Sequence, residues 1–126
     1  MEFIKDIPTF PKPAAPYTPA VRANGFIFVS GQVGLDPATG KLVPGGIVEQ
    51  AKQVLKNVEA VLKASNSSLE NVAMTTIFLA DIDDFKTINE IYAQYINIEN
   101  PPARQCIAVK DLPLGSLIEI SVIAVG

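Results

Sequence analysis

The sequence contains no histidine. That absence excludes every mechanism needing an imidazole: a Ser-His-Asp or Cys-His nucleophile pair, His-ligated zinc, and a nuclease with a histidine acid and base. Cysteine occurs once, at Cys106, so neither an internal disulfide nor a thiolate metal cluster can form, which suits a reducing compartment. Charge is sparse, at 18% of residues, and its balance is acidic: 13 Asp and Glu against 10 Lys and Arg, a net charge of −3. This is the wrong sign for affinity built on phosphate neutralisation, so nucleic acid is not an expected partner. No apolar run reaches membrane-spanning length, and Met1-Glu2-Phe3-Ile4-Lys5-Asp6 runs into Pro8 without a signal-like or Arg-rich amphipathic pattern. A cytoplasmic protein with no membrane partner is expected. There is no Walker A loop or G-x-G-x-x-G, and no segment repeats.

What the sequence does contain is apolar surface. Hydrophobic residues make up 48% of 126, and the mean hydropathy is +0.29. A chain this long forms one domain, residues 1–126, and holds more apolar surface than one small core can hide. Self-association is the expected outlet.

Five prolines (Pro8, Pro11, Pro13, Pro16, Pro19) fix residues 8–19 as an extended strap and deny it ladder donors. A strand at Ala20 to Ala23 meets the hairpin signal Asn24-Gly25 and returns over Phe26 to Ser30. After the turns at Asp36 to Gly40 and Pro44 to Gly46, apolar residues at Ile47, Ala51, Val54, Leu55, Val58, Val61 and Leu62 predict a helix to about Ser65. Val72 to Ala80 reads as a central strand, and Asp84 to Ile96 as a second helix with Asp83 as candidate N-cap. Strands at Ala103 to Lys110 and Leu117 to Val125 close the chain, joined by the turn at Asp111 to Gly115. The order β-β-α-β-α-β-β implies a single α+β domain with two helices on one face of a mixed sheet. The other face has no helix to cover it and is where subunits are expected to meet.

The last two strands carry the candidate chemistry. Period-two alternation groups Arg104, Cys106 and Ala108 on one face, opposite Gln105 and Ile107. Glu119 is a carboxylate in a strand otherwise made of apolar residues and one serine. A hairpin that pairs Lys110 with Gly115 sets Cys106 against Glu119 and puts Arg104, Cys106 and Glu119 on one surface. The pair Arg104 and Glu119 then reads either as functional or as a structural ion pair at a subunit contact. Cys106 reads as a small buried hydrophobe, since no histidine lowers its pKa. Asp81-Ile82-Asp83-Asp84 lacks the glycine and distal glutamate of a calcium loop and is assigned to capping, so no metal site is expected.

Pro102-Ala103-Arg104, Cys106-Ile107 and the spacing on through Leu112 to Ile118-Glu119-Ile120 resemble the C-terminal signature of the RidA (YjgF/YER057c/UK114) family. Ala15 to Ala20, Phe28-Val29-Ser30-Gly31-Gln32 and Phe78-Leu79-Ala80-Asp81 agree in the same order, so the resemblance spans nearly the whole chain. It implies a homotrimer of chorismate-mutase-like subunits with clefts between neighbouring chains. It also implies hydrolysis of reactive 2-imino and enamine acids, such as iminopropanoate and iminobutanoate released by pyridoxal-phosphate dehydratases, to 2-oxo acids and ammonia. By resemblance, Arg104 binds the substrate carboxylate, Glu119 positions and activates water, and Tyr17 closes the cleft. Ser30, Gly31, Asn89 and Cys106 line it, Cys106 mainly through its backbone. Many members carry a small residue where this chain has Gln105, a departure expected to affect packing more than chemistry.

The residue chemistry is compatible with that activity. An imine is already electrophilic, so its hydrolysis needs orientation and proton transfer but no cofactor, metal or covalent nucleophile. A guanidinium offers a carboxylate two parallel donors, and a glutamate can relay protons between water and the leaving nitrogen. The alternatives are a trimeric 2-oxo acid sensor, which needs Arg104 but not Glu119, and a chaperone-like interaction protein, which needs neither. Ribonuclease or translation-inhibitor activity, attributed to some family members, is disfavoured here by the acidic balance and the missing histidine.

Overall fold

Strand alternation and one long helical stripe converge on a single buried layer of 20 apolar residues. The computed structural model describes residues 1–126. In chain order the elements are β1 (Glu2–Ile4), β2 (Ala20–Ala23), β3 (Phe26–Val33), the short pair β4 (Leu35–Asp36) and β5 (Lys41–Leu42), α1 (Gly46–Ala64), β6 (Val72–Leu79), α2 (Phe85–Tyr92), β7 (Ala103–Ala108) and β8 (Ile118–Val125). The main sheet has six strands in the order β1-β2-β3-β8-β6-β7, antiparallel throughout except for the parallel pair β6 and β7. This is the expected α+β architecture, a mixed sheet with two helices on one face.

Helix α1 turns Ala51, Val54, Leu55, Val58, Val61 and Leu62 onto the sheet, where they meet Ile27, Val29, Ile77, Ile118, Ile120 and Val122. Fully burying each of its Val and Leu side chains contributes about 1.5–3 kcal/mol, so this stripe is what holds the helix down. Two buried polar residues fix its register. Gln50 Oε1 accepts from the Leu117 amide at 2.8 Å, while Asn57 Nδ2 donates to the carbonyls of Val33 and Leu35 at 3.0 and 2.8 Å. Both side chains satisfy backbone groups where β3 and β8 run out of ladder partners.

The opposite face of the sheet is bare. Phe3, Phe28 and Ile107 are 51%, 44% and 51% exposed there, whereas Ile27 and Ile77 behind them are fully buried. Cross-strand pairs Phe3–Val21, Val21–Phe28, Phe28–Ile123 and Phe26–Val125 make the exposed apolar surface continuous.

Several expectations are corrected. The last two strands are not a hairpin: β7 pairs with β6 alone, and β8 lies between β3 and β6. Parallel pairing of β6 with β7 requires a crossover, which α2 supplies, while β8 pairs along its whole length with two long apolar strands. The helix expected to reach Ile96 ends at Tyr92, where the bonds Gln94 N to Ile91 O and Tyr95 N to Tyr92 O tighten the chain into three-residue turns. Asp83 does not cap α2: Asp84 stands at its N-cap without a side-chain capping bond, and the Asp81 carboxylate caps the preceding 3₁₀ turn (Ile82–Asp84), accepting from the Asp83 amide at 2.9 Å. Strand β3 continues past Ser30 to Val33 because a bulge between Val29 and Gln32 absorbs the register shift. The edge strand β1 and the β4–β5 pair were not anticipated. The proline strap forms no strand, as expected.

Candidate active site

The candidate residues fall into two groups separated by the sheet. Across β7, β6 and β8, Ile107 pairs with Phe78 and Phe78 with Glu119, so Glu119 lies on the bare face. Arg104 pairs with Thr75, which is buried against α2, and Cys106 with buried Ile77, so Arg104 and Cys106 lie on the helix-covered face of the edge strand. The expected single surface holding Arg104, Cys106 and Glu119 is therefore overturned within one chain. Alternation groups residues of one strand correctly, but the relation between two strands depends on which partner each takes. Gln105 does face away from Arg104, and so shares the face of Glu119. Its Nε2 donates to Thr76 Oγ1 at 3.4 Å, an exposed side-chain bond across β6 and β7.

Around Glu119 the bulge in β3 brings backbone close to the carboxylate. A Cβ at Gly31 would lie 2.6 Å from Glu119 Oε2, so only glycine allows this approach. Burial against this wall pushes the Glu119 carboxyl above the usual glutamate value. Next to Gly31, the Ser30 hydroxyl donates to the Thr18 carbonyl at 2.6 Å, and the Ser30 amide donates to the Pro19 carbonyl. Ser30 thereby ties the proline strap to β3 and fixes Tyr17, half exposed, over a groove of about 320 Å³ that Tyr17 shares with Gly31, Phe10 and Leu114. Tyr17 and Gly31 line that groove, Ser30 anchors the strap beside it and Glu119 meets Gly31, so the four make one candidate half-site.

The other half-site is built around Arg104. Its guanidinium carbon lies 5.5 Å from the centroid of the Phe85 ring and 5.2 Å from that of Tyr92. Neither ion pair of the chain, Arg22–Glu2 or Lys63–Glu59, involves it. Burial raises the Cys106 thiol above its usual value, partly offset by Arg104, and a thiol held protonated is a poor nucleophile. Asn89 lies between Phe85 and Tyr92 on α2, and its Oδ1 is buried without a hydrogen-bond partner. Phe85 and Tyr92 belong to the second helix, and the sequence marks neither as a site residue. Their spacing with Asn89 at i, i+4 and i+7 was the available signal that one face of α2 meets the edge strand.

Within the acidic run the Asp81 carboxylate is taken up by capping, and no three Cys, Asp or Glu side chains converge as a metal site. No helix is long and apolar enough to cross a membrane.

The sequence profile of the family described as Endoribonuclease L-PSP matches residues 8–126. The chain is 52% identical over 123 residues to a 2-iminobutanoate/2-iminopropanoate deaminase of Mus musculus, covering 96% of this chain and 90% of that protein. Among solved structures, yeast YEO7 is 47% identical with a TM-score of 0.87, covering 93% of this chain and 92% of that one. E. coli TdcF with bound serine is 34% identical with a TM-score of 0.91, covering 100% of this chain and 99% of that one. Matched over nearly its whole length by profile, sequence and fold, the chain belongs to the Endoribonuclease L-PSP family, the RidA (YjgF/YER057c/UK114) family that its C-terminal motif resembles.

Proposed function

We propose that the protein hydrolyses reactive 2-imino and enamine acids to 2-oxo acids and ammonia, in the cytoplasm, at clefts between the chains of a homotrimer. The observation that carries this reading is the placement of Arg104 and Glu119 on opposite faces of one sheet, each without an ionic partner in its own chain. A guanidinium at a sheet edge and a desolvated carboxyl on a bare apolar face can complete one another only when a neighbouring chain lies against that face. The exposed residues Phe3, Phe26, Phe28 and Val125, joined across β1, β2, β3 and β8, and Ile107 on the edge strand give such a neighbour apolar area to bury. The deaminase name of the mouse relative and the serine bound to the E. coli relative support a small amino-acid-like substrate.

In this assembly Arg104 of one chain holds the substrate carboxylate through two parallel N–H donors. Glu119 of the next chain takes a proton from water as the oxygen attacks the imine carbon. It gives that proton to nitrogen, forming the carbinolamine, and then carries the hydroxyl proton to nitrogen as the C–N bond breaks to leave a carbonyl and ammonia. Burial raises the proton affinity of Glu119, which suits a group that must both accept and return a proton. Tyr17 closes the cleft beside Gly31, Ser30 holds Tyr17 in place, and Asn89 and Cys106 line the Arg104 side. No step needs a cofactor, metal or thiolate.

The test is to add the pure protein to a serine or threonine dehydratase reaction and follow 2-oxo acid release against spontaneous imine hydrolysis. The parent should accelerate release. Arg104→Lys should lower kcat/KM by roughly one to three orders of magnitude and weaken 2-oxo acid binding. Glu119→Gln should lower turnover by on the order of a hundredfold while leaving that binding nearly unchanged. A parent that binds 2-oxo acids without accelerating imine loss supports a sensor instead.

A further inference from the structure

We infer that Phe85 and Tyr92 are positioning residues for the substrate carboxylate: their ring faces hold the Arg104 guanidinium in place without occupying any of its N–H donors. This rests on the assignment of Arg104 to carboxylate binding and goes beyond it, because it says why the fork is rigid and unoccupied before substrate arrives.

A half-buried arginine is ordinarily neutralised by a carboxylate or tied to carbonyls. Arg22 shows the usual arrangement in this same chain, pairing with Glu2 and donating to the carbonyls of Gly126 and Ser65. Arg104 has none of these partners. Its hold comes from two aromatic faces at 5.5 and 5.2 Å, within the range where a ring quadrupole attracts a cation. A carboxylate in that position would consume donors and compete with the substrate, whereas a π face leaves the N–H edge free for a planar, bidentate anion.

The cradle is itself fixed. Tyr92 is buried, and its hydroxyl donates to Thr75 Oγ1 at 2.9 Å. Thr75 is the residue directly across from Arg104 in the β6–β7 ladder. The bond therefore locks the Tyr92 ring to the strand neighbouring the one that carries the guanidinium. Phe85, one of the more exposed large apolar residues at 39%, supplies the second face from the first turn of α2. An exposed phenylalanine contributes little to core packing, and its position at the guanidinium gives it another use.

The experiment measures pyruvate binding by calorimetry together with KM and kcat on 2-iminopropanoate made by a dehydratase. Phe85→Leu should weaken pyruvate binding and raise KM by about three- to thirtyfold, with kcat largely retained. Phe85→Tyr, which restores a ring face, should recover most of the loss. Site-specific replacement of Phe85 by phenylalanines of increasing fluorination keeps size and shape while weakening the ring quadrupole, so binding should weaken stepwise with each fluorine. Tyr92→Phe keeps the ring and should bind more tightly than Tyr92→Leu. Equal losses for Phe85→Leu and Phe85→Tyr, or a flat fluorination series in a parent whose pyruvate binding depends on Arg104, overturn the cradle alone. Pyruvate binding that survives Arg104→Lys unchanged, or a parent that neither binds pyruvate nor accelerates imine loss, overturns the assignment of Arg104 and the cradle with it.

Discussion

The two half-sites lie on the same sheet and are built on opposite principles. On the helix-covered face a cation is kept free of ionic partners by resting on aromatic rings. On the bare face an acid is pressed against backbone at Gly31, and burial raises its proton affinity. The first arrangement suits recognition, because its donors remain unoccupied, and the second suits proton transfer, because the carboxyl takes up a proton more readily than one in water. The sheet between them prevents the pair from quenching each other as an internal salt bridge. In the assembly proposed above, that separation leaves each group free to act with one from a neighbouring chain.

Mixing experiments break this comparison most directly. Arg104→Ala and Glu119→Gln chains, each nearly inactive alone, should regain activity when co-assembled. If each cleft takes Arg104 from one chain and Glu119 from its neighbour, random mixing restores both groups in about one quarter of the clefts. Activity no greater than the sum of the separate variants would place both groups in a single chain's site. A smaller effect is expected from Gly31→Ala. The added methyl forces the carboxyl aside, so turnover should fall by roughly ten- to a hundredfold while pyruvate binding, read by calorimetry, holds. Parallel loss of both would show that the half-sites are not separable.

The pH dependence sharpens the Glu119 side. With its carboxyl raised by burial, the basic form appears only above the usual glutamate value, so the acid limb of kcat/KM should lie above that value and disappear in Glu119→Gln. Linkage has the corresponding sign. The folded state binds the proton more tightly than the unfolded chain, so the contribution of Glu119 to stability falls as pH rises from the ordinary value through the raised one. Denaturant titrations of parent and Glu119→Gln across that window should diverge as pH increases. The smallest effect is expected at Cys106. Its thiol is raised and protonated, so Cys106→Ala should keep activity within about threefold of the parent in the dehydratase-coupled assay. A loss matching that of Arg104→Lys would make the thiol a reacting group.

Much of each half-site was legible strand by strand. The grouping of Arg104 with Cys106 opposite Gln105 follows from strand alternation alone and holds in the structure. So does the isolation of Glu119 among apolar neighbours. What failed was the step that joined the two strands by their connecting turn. The Asp111 to Gly115 segment looks like a hairpin turn, but it contains a short 3₁₀ turn at Pro113–Gly115 and leads β8 two strands away from β7. The apolar asymmetry of β8 carried the missing information. Ile118, Ile120, Val122 and Ala124 are all buried under α1, which leaves Glu119 to the bare face.

By itself the sequence determined the two helices and the longer strands, the covered face of α1, the surplus of apolar surface, the absence of imidazole chemistry and the residue types available at the site. These depend on local periodicity, turn residues and composition, all of which act over a few positions. Only the tertiary structure decided that β7 runs parallel to β6, that β8 enters between β3 and β6, and that Phe85 and Tyr92 meet Arg104. Those outcomes depend on which long apolar strands bury most surface together and on where the α2 crossover docks. That competition among non-local pairings is one that no short window of residues contains.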